Sequence, residues 1–259
     1  MSHKPLVFVD LDDTLFQTHR KQPPTVQHKI ATTDKHGEPL SFMNQKQQFF
    51  VNWLLESADV VPVTARSVEG FKRVQLPFQY GAICSHGGTI LDHNLEVDLE
   101  WVEIQQQSEL KLHDVMVDLA DALHDYAQDL GEVRTWTLAQ NNLANYALAK
   151  HKQGGELFLD QLLEKLPQNI LEQCYVHING NNLAIIPNHV SKKSAVEFYI
   201  NKHDPQRERP ILGLGDSLSD AGFLTSCDWY GMPKKSQLDT FLNTKLSQDF
   251  DTKGYLGHV

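Results

Sequence analysis

Three short apolar runs, "LVFVDL" (6–11), "ADVVPVTA" (58–65) and "RPILGLGD" (209–216), are continuous rather than alternating. That pattern predicts parallel strands covered on both faces. Between the first two, residues 17–41 are polar and broken by Pro23, Pro24, Gly37 and Pro39. They predict an irregular excursion with room for a short hairpin. The stretch "FMNQKQQFFVNWLLESA" (42–58) spaces Phe42, Phe49, Phe50, Trp53 and Leu54 at near-helical intervals, which predicts a helix leading into the second strand.

From "YGAICSHGGTILD" (80–92) to "NNLAIIPNH" (181–189) the pattern changes. The spacing predicts a long amphipathic helix over 107–130, then two alternating strands over 133–140 and 143–150, parted by a turn at Asn141 and Asn142. A second helix over 155–167 precedes the strand pair "EQCYVHI" (172–178) and "NLAIIP" (182–187), joined by "NGNN" (179–182), a hairpin signal. Alternation implies half-buried antiparallel strands, with helices on one face and the other face free to cover something. After Pro187 the first pattern resumes, with a helix over 192–201, the third buried strand and a helical tail. The expected organisation is an α/β core made of residues 1–85 and 186–259, interrupted by an inserted α+β unit over 86–185. Hinges are expected near His86–Gly88 and Pro187–His189.

Composition narrows the function classes. The 23 basic and 33 acidic residues give a formal charge of −10, and no basic run exceeds two residues; nucleic acid and anionic membrane are therefore not expected partners. No stretch approaches 18 apolar residues, and the N-terminal apolar run is too short for a signal peptide, so a cytoplasmic protein is expected. Cys84, Cys174 and Cys227 are odd in number and form no C-x-x-C pair, which fits reduced, buried thiols. Thirteen histidines form no zinc set, "GLG" at 213–215 lacks a dinucleotide fingerprint, and no phosphate-cradling P-loop is present. Nothing in the pattern assigns an oligomeric state.

Each apolar run ends in a polar cluster: "DLDDT", "TARS" and "GDSLSD". Ligands of an open parallel sheet bind beyond the carboxyl ends of its strands, so Asp10, Asp12, Thr64 and Asp216 should converge. Asp10, Asp12 and Asp13 repel one another, a cost that only a cation or a reaction justifies. Within the cluster, Asp13 reads as a solvated or capping residue and Thr14 as a brace of the loop. Arg66 either contacts substrate or pairs with a carboxylate.

These residues resemble the haloacid dehalogenase (HAD) superfamily of phosphotransferases, whose four motifs occur here in order. Asp10-x-Asp12-x-Thr14 matches the first, Thr64 the hydroxyl motif, Lys192 in "HVSKKSAV" the lysine motif, and Asp216 with Asp220 in "GDSLSD" the acidic motif. The resemblance implies a Rossmannoid core with a type C2B cap, as in Cof-like, sucrose-phosphatase-like and trehalose-phosphatase-like members. It implies a Mg²⁺-dependent phosphomonoesterase acting on a small soluble phosphate ester, most plausibly a sugar phosphate. Asp10 is then the nucleophile, and Asp12 the acid and base that neighbouring Asp10 and Asp13 help to keep protonated. Mg²⁺ is bound by the carboxylates of Asp10 and Asp216 and the backbone carbonyl of Asp12, with Asp220 as a further ligand or a brace. Thr64 and Lys192 hold phosphate, and Lys193 is the alternative lysine. Ser219 stands where relatives carry a phosphate-contacting Asn, and Ala65 replaces a Gly. In the cap, Arg134, Trp136, Asn145, Lys150, His177 and Asn181 are candidate readers of the leaving group. A phosphomutase, or a catalytically silent binding protein, would use the same fold.

Overall fold

The computed structural model describes residues 4–21, 23–25, 27–109, 113–130, 132–140, 143–152, 156–179 and 181–253. The chain forms two compact units, one of residues 1–98 and 192–259, the other of residues 99–191.

In the first unit the elements are β1 (Leu6–Val9), β2 (Gln17–Thr18), β3 (Lys29–Thr33), β4 (Pro39–Met43), α1 (Gln45–Ser57), β5 (Asp59–Pro62), α2 (Val68–Phe71), β6 (Ala82–Cys84) and β7 (Thr89–Leu91). The second unit holds α3 (Leu99–Glu109), α4 (His113–Leu130), β8 (Val133–Gln140), β9 (Leu143–His151), α5 (Glu156–Lys165), α6 (Gln168–Leu171), β10 (Cys174–Asn179) and β11 (Asn182–Pro187). The chain then returns to the first with α7 (Lys192–His203), β12 (Ile211–Leu214), α8 (Ala221–Leu224), β13 (Trp229–Gly231) and α9 (Gln237–Lys253).

The three continuous apolar runs are β1, β5 and β12, and they form one parallel sheet in the order β13-β12-β1-β5. All four residues of β1 are buried because both faces are covered. Val7 and Val9 pack in one cluster with Val51 and Leu54 of α1, while Phe8 meets Tyr199 of α7 edge-on at 5.7 Å. The register sets Val9 beside Leu214 and Pro62. The three strands therefore end level, and the residues that follow them emerge together.

Residues 17–41 are more regular than expected. β2, β4 and β3 form an antiparallel sheet, closed at its tip by Asp34, whose Oδ1 accepts from the backbone N–H groups of His36 (2.8 Å) and Glu38 (3.0 Å). The chain turns there through Gly37 at φ +86. Pro23 and Pro24 lie outside the strands and Pro39 is the first residue of β4, where proline does not interrupt a ladder. The prolines hid a sheet whose alternation was present in "KIATT" and "PLSFM".

The first junction between the units also differs. It falls at Asp98/Leu99 rather than near His86, because β7 pairs antiparallel with β6, Cys84 opposite Thr89, and keeps residues 86–98 with the first unit. Ser85 (φ 54), His86 (φ 55) and Gly87 (φ 101) make that tight reversal in successive left-handed conformations. The return junction falls at Ser191/Lys192.

The second unit is a four-stranded antiparallel sheet, β10-β11-β9-β8. Met116, Leu119 and Leu123 of α4 and Leu159 and Leu162 of α5 pack on the face carrying Ala147, Ala149, Leu183 and Ile185. The opposite face carries a smaller cluster of Tyr146, Ala184, Ile186 and Val190. The helix expected over 107–130 is matched by α4, while α3 before it was not anticipated; residues 110–112, the Asn141–Asn142 turn and Gly180 of the "NGNN" turn lie outside the described residues.

Asn44 caps α1 with a reciprocal box: its Oδ1 accepts from Gln47 N and its own N–H donates to Gln47 Oε1, both at 2.9 Å. Asn44→Ala removes the acceptor and is expected to destabilise the protein by about 1 kcal/mol, read as a lower urea midpoint at unchanged slope.

Candidate active site

The site grows out of the strand register. Asp10 follows β1, and its N–H donates to Leu214 O at 2.8 Å, so β12 delivers Gly215 and Asp216 alongside it. Lys192, the first residue of α7, is buried at 6% exposure. Its ammonium donates to Asp10 Oδ1 at 2.8 Å and to Asp220 Oδ1 at 2.6 Å. Lys193 instead faces Glu197 at 3.9 Å on the surface of the same helix. Thr14 Oγ1 lies 3.3 Å from both Asp10 Oδ2 and Asp216 Oδ1, tying the first and last motifs together.

Asp220 is fully buried, and its second oxygen accepts from Asp216 N (3.1 Å), Ser217 N (2.9 Å) and Ser217 Oγ (2.8 Å). Two residues do this work that sequence reasoning did not single out. Ser217 supplies two of those donors and also shares a hydrogen bond with Ser219 Oγ at 2.7 Å. Gly215 leaves room for the carboxylate: a Cβ there would lie 2.6 Å from Asp220 Cβ. The signal was in "GLGD", where glycine directly precedes the acidic motif and nothing else in the pattern required it.

The other sequence candidates lie beside this cluster. Arg66 grips Asp12 bidentately, Nε to Oδ2 at 2.6 Å and Nη2 to Oδ1 at 2.7 Å, a strong planar match. Asp13, at φ 64, turns away to Lys21 at 2.6 Å. Each of the three aspartates has its own cation, so Asp10 and Asp13 do not face Asp12 as uncompensated charges. Thr64 is buried, with Oγ1 accepting from Arg66 N at 3.1 Å. Its hydroxyl proton remains available for a further partner.

Charge in the cluster is unbalanced, with three carboxylates around one ammonium. Burial pulls Lys192 down, but Asp10 and Asp220 outweigh it and hold the ammonium above its usual range. Burial pushes Asp10 well above the usual carboxylate range; Lys192 opposes the rise, while Asp220 and Asp216 add to it. Asp216 is pushed up to about 7, first by burial and then by the charges of Asp220 and Asp13.

Asp10, Asp216 and Asp220 each offer an oxygen, all within 4.8 Å of one another. An all-oxygen donor set with surplus negative charge fits a hard divalent cation. The carboxylate of Asp12 stands outside this set. All three cysteines are free thiols. Burial pushes Cys84 and Cys227 up to about 12 and Cys174 to about 11, so none is a nucleophile at neutral pH.

In the second unit, strand register puts Arg134, Trp136, Lys150 and His177 on the sheet face opposite the helices. Arg134 lies over the Trp136 ring at 5.2 Å. Tyr175, two residues from His177 and stacked on it at 6.3 Å, shares that face and was overlooked. Asn181 instead braces the backbone, its Nδ2 donating to His151 O at 2.7 Å. The side chain of Asn145 lies outside the described residues. Among the described residues no helix is long and apolar enough to cross a membrane.

Two expectations follow from the charge balance. Lys192→Ala leaves two buried carboxylates without their cation and is expected to destabilise the protein by about 3–5 kcal/mol, measured by chemical denaturation. Asp216 binds its proton more tightly folded than unfolded, so the stability it contributes is present below about pH 4 and is lost as pH rises through about 7. A divalent cation competes for the deprotonated form. The rise in Tm on adding Mg²⁺ is therefore expected to be larger at pH 8 than at pH 6, and to be lost in Asp216→Asn.

The whole-chain comparisons agree with this architecture. Residues 4–232 match the model of the family described as sucrose-6F-phosphate phosphohydrolase. Among solved structures, the Synechocystis sp. PCC6803 sucrose-phosphatase in complex with sucrose and phosphate is 17% identical with a TM-score of 0.57, covering 95% of this chain and 98% of that one. A trehalose-6-phosphate phosphatase related protein is 18% identical with a TM-score of 0.54, covering 96% and 100%. The C-terminal domain of the C. albicans trehalose-6-phosphate phosphatase is 13% identical with a TM-score of 0.54, covering 99% and 79%. No curated protein sequence matches the chain significantly. With a parallel core sheet, an inserted α+β unit and a family match over most of its length, the chain belongs to the sucrose-6F-phosphate phosphohydrolase family of HAD-type phosphatases.

Proposed function

We propose that this phosphatase is Mg²⁺-dependent and hydrolyses a small soluble sugar phosphate through an aspartyl-phosphate intermediate. The observation that carries the reading is the buried Asp10 carboxylate, held by Lys192 and Thr14 beside Asp216 and Asp220 at the carboxyl ends of β1 and β12. Asp10 and Asp216, with the backbone carbonyl of Asp12, would hold a Mg²⁺ ion, which would supply positive charge against the dianionic phosphate, with Asp220 as the brace.

An Asp10 oxygen attacks phosphorus as the ester P–O bond breaks, and Asp12 delivers a proton to the departing sugar oxygen. Water then attacks the acyl phosphate, Asp12 takes back a proton, and Asp10 and inorganic phosphate are regenerated. Lys192 keeps Asp10 oriented and offsets charge on the phosphate. Arg66 has a double role: it fixes Asp12 now, and an incoming phosphate competes for its guanidinium, which frees the Asp12 carboxyl for proton transfer. Thr64 supplies a hydroxyl donor to a phosphate oxygen, and Ser219 a shorter donor than the Asn of relatives.

The family description makes sucrose 6F-phosphate the first substrate to test, with trehalose 6-phosphate, named for structural neighbours, and hexose monophosphates beside it. Phosphate release is expected with Mg²⁺ on at least one sugar phosphate and to fall to background with a chelator or in Asp10→Asn. Asp12→Asn is expected to lower kcat by about 100- to 10,000-fold. Conversion of one ester into its isomer without phosphate release would identify a mutase. No turnover of any ester, with Mg²⁺ still raising Tm, would identify a silent binder.

A further inference from the structure

The helical pattern of α1 contains two apolar stripes, and only one faces the core. Val51 and Leu54 are buried against the sheet, while Phe49 is 66% exposed and Trp53 58% exposed on the opposite side, flanked by Phe50. Lys46 and Glu56 are also exposed and complete the outer stripe at the spacing i, i+3, i+7, i+10, which keeps all four residues on one face. Neither charge makes an ion pair among the described residues.

We propose that this stripe is a self-association surface on which the α1 helix of a second copy of the chain lies antiparallel. The order of residues is what singles out that occupant. Lys46 stands five residues before Val51 and Glu56 five after it; Phe49 stands two before and Trp53 two after. Reversing the helix about its midpoint therefore exchanges each basic position for an acidic one and each aromatic for an aromatic. A two-fold axis through that midpoint sets Lys46 against Glu56 of the second copy at both ends. It also packs Phe49 against Trp53 of the second copy twice in the middle, as a closed isologous contact requires.

Net charge favours the same face. The chain carries −10, but Gln45–Ser57 has one lysine and one glutamate and is locally neutral, whereas α4 alone carries five aspartates and no Lys or Arg. Along α1 the helix itself adds no net charge to the approach of two copies. Leu55, Pro77 and Tyr80 continue the surface in a shallow cleft beside Asn52 and Glu56, adding contact beyond the helix. A 13-residue helix is about 20 Å long, so the interface belongs to the small, reversible class, below about 1,200 Å².

Sedimentation velocity of the full chain from about 1 to about 200 µM is the test, spanning the affinity range of such interfaces. The dimer fraction is expected to rise with concentration. Trp53→Gln, at an exposed position, is expected to give monomer throughout with unchanged far-UV circular dichroism. Lys46→Glu and Glu56→Lys each put like charges together and are expected to weaken association about tenfold or more. Combining both in one chain should restore it, and mixing the two single variants should produce a heterodimer. A wild-type chain that stays monomeric at every concentration overturns the proposal. So does association indifferent to Trp53→Gln or to the charge reversals, or association lost in the single variants and not restored in the double one.

Discussion

A single buried ammonium holds the centre of this molecule together. Lys192 sits between Asp10 and Asp220, all three at 6% exposure or less, and removing a charge from water costs several kcal/mol unless a partner and hydrogen bonds compensate. The compensation is incomplete, because Asp216 adds a third carboxylate that Thr14 and Lys192 only partly offset. The surplus charge on Asp216 is a cost to stability. An all-oxygen set with surplus negative charge fits a hard divalent cation, and the parallel register of β1 with β12 is what brings it together.

The supports around that centre are local and short. Asp220 is oriented by two backbone N–H groups and one hydroxyl from its own turn, an arrangement that Gly215 permits by having no side chain to collide with it. Asp12 is oriented by Arg66, which comes from the end of β5, so the first and second strand ends are joined by charge as the first and third are. Asp10, Asp12 and Asp13 thus each have a cation from a different part of the chain, Lys192, Arg66 and Lys21. Carboxylates brought this close can keep distinct roles only if their counter-charges are separate.

Hydrophobic periodicity described α1 correctly as a helix but could not say which side faces inward. With aromatics at Phe49, Phe50 and Trp53 and aliphatics at Val51 and Leu54, both sides are apolar, and packing chose the aliphatic side because it fits the closely covered sheet. In residues 17–41 the error ran the other way. Prolines read as breaks concealed a three-stranded sheet, since they lie in the connection or at a strand start where no ladder hydrogen bond is lost.

By itself the sequence determined the parallel strands, the interrupted core and the identity of most of the charged cluster, because continuous apolar runs that end in acidic or hydroxyl residues leave few other architectures. It also determined that the inserted unit alternates, and hence which of Arg134, Trp136, Lys150 and His177 share a face once one strand's facing is known. The lysine motif already favoured Lys192 over Lys193, and the structure turns Lys192 inward; tertiary structure alone decided that Arg66 holds Asp12, and that Ser217 and Gly215 build the seat of Asp220. It also decided that the β6–β7 hairpin stays with the core. These choices turn on the direction of a side chain, the room left by a missing one, or a pairing between distant segments. A linear pattern records none of these, because they arise only when strands far apart in the chain are set side by side.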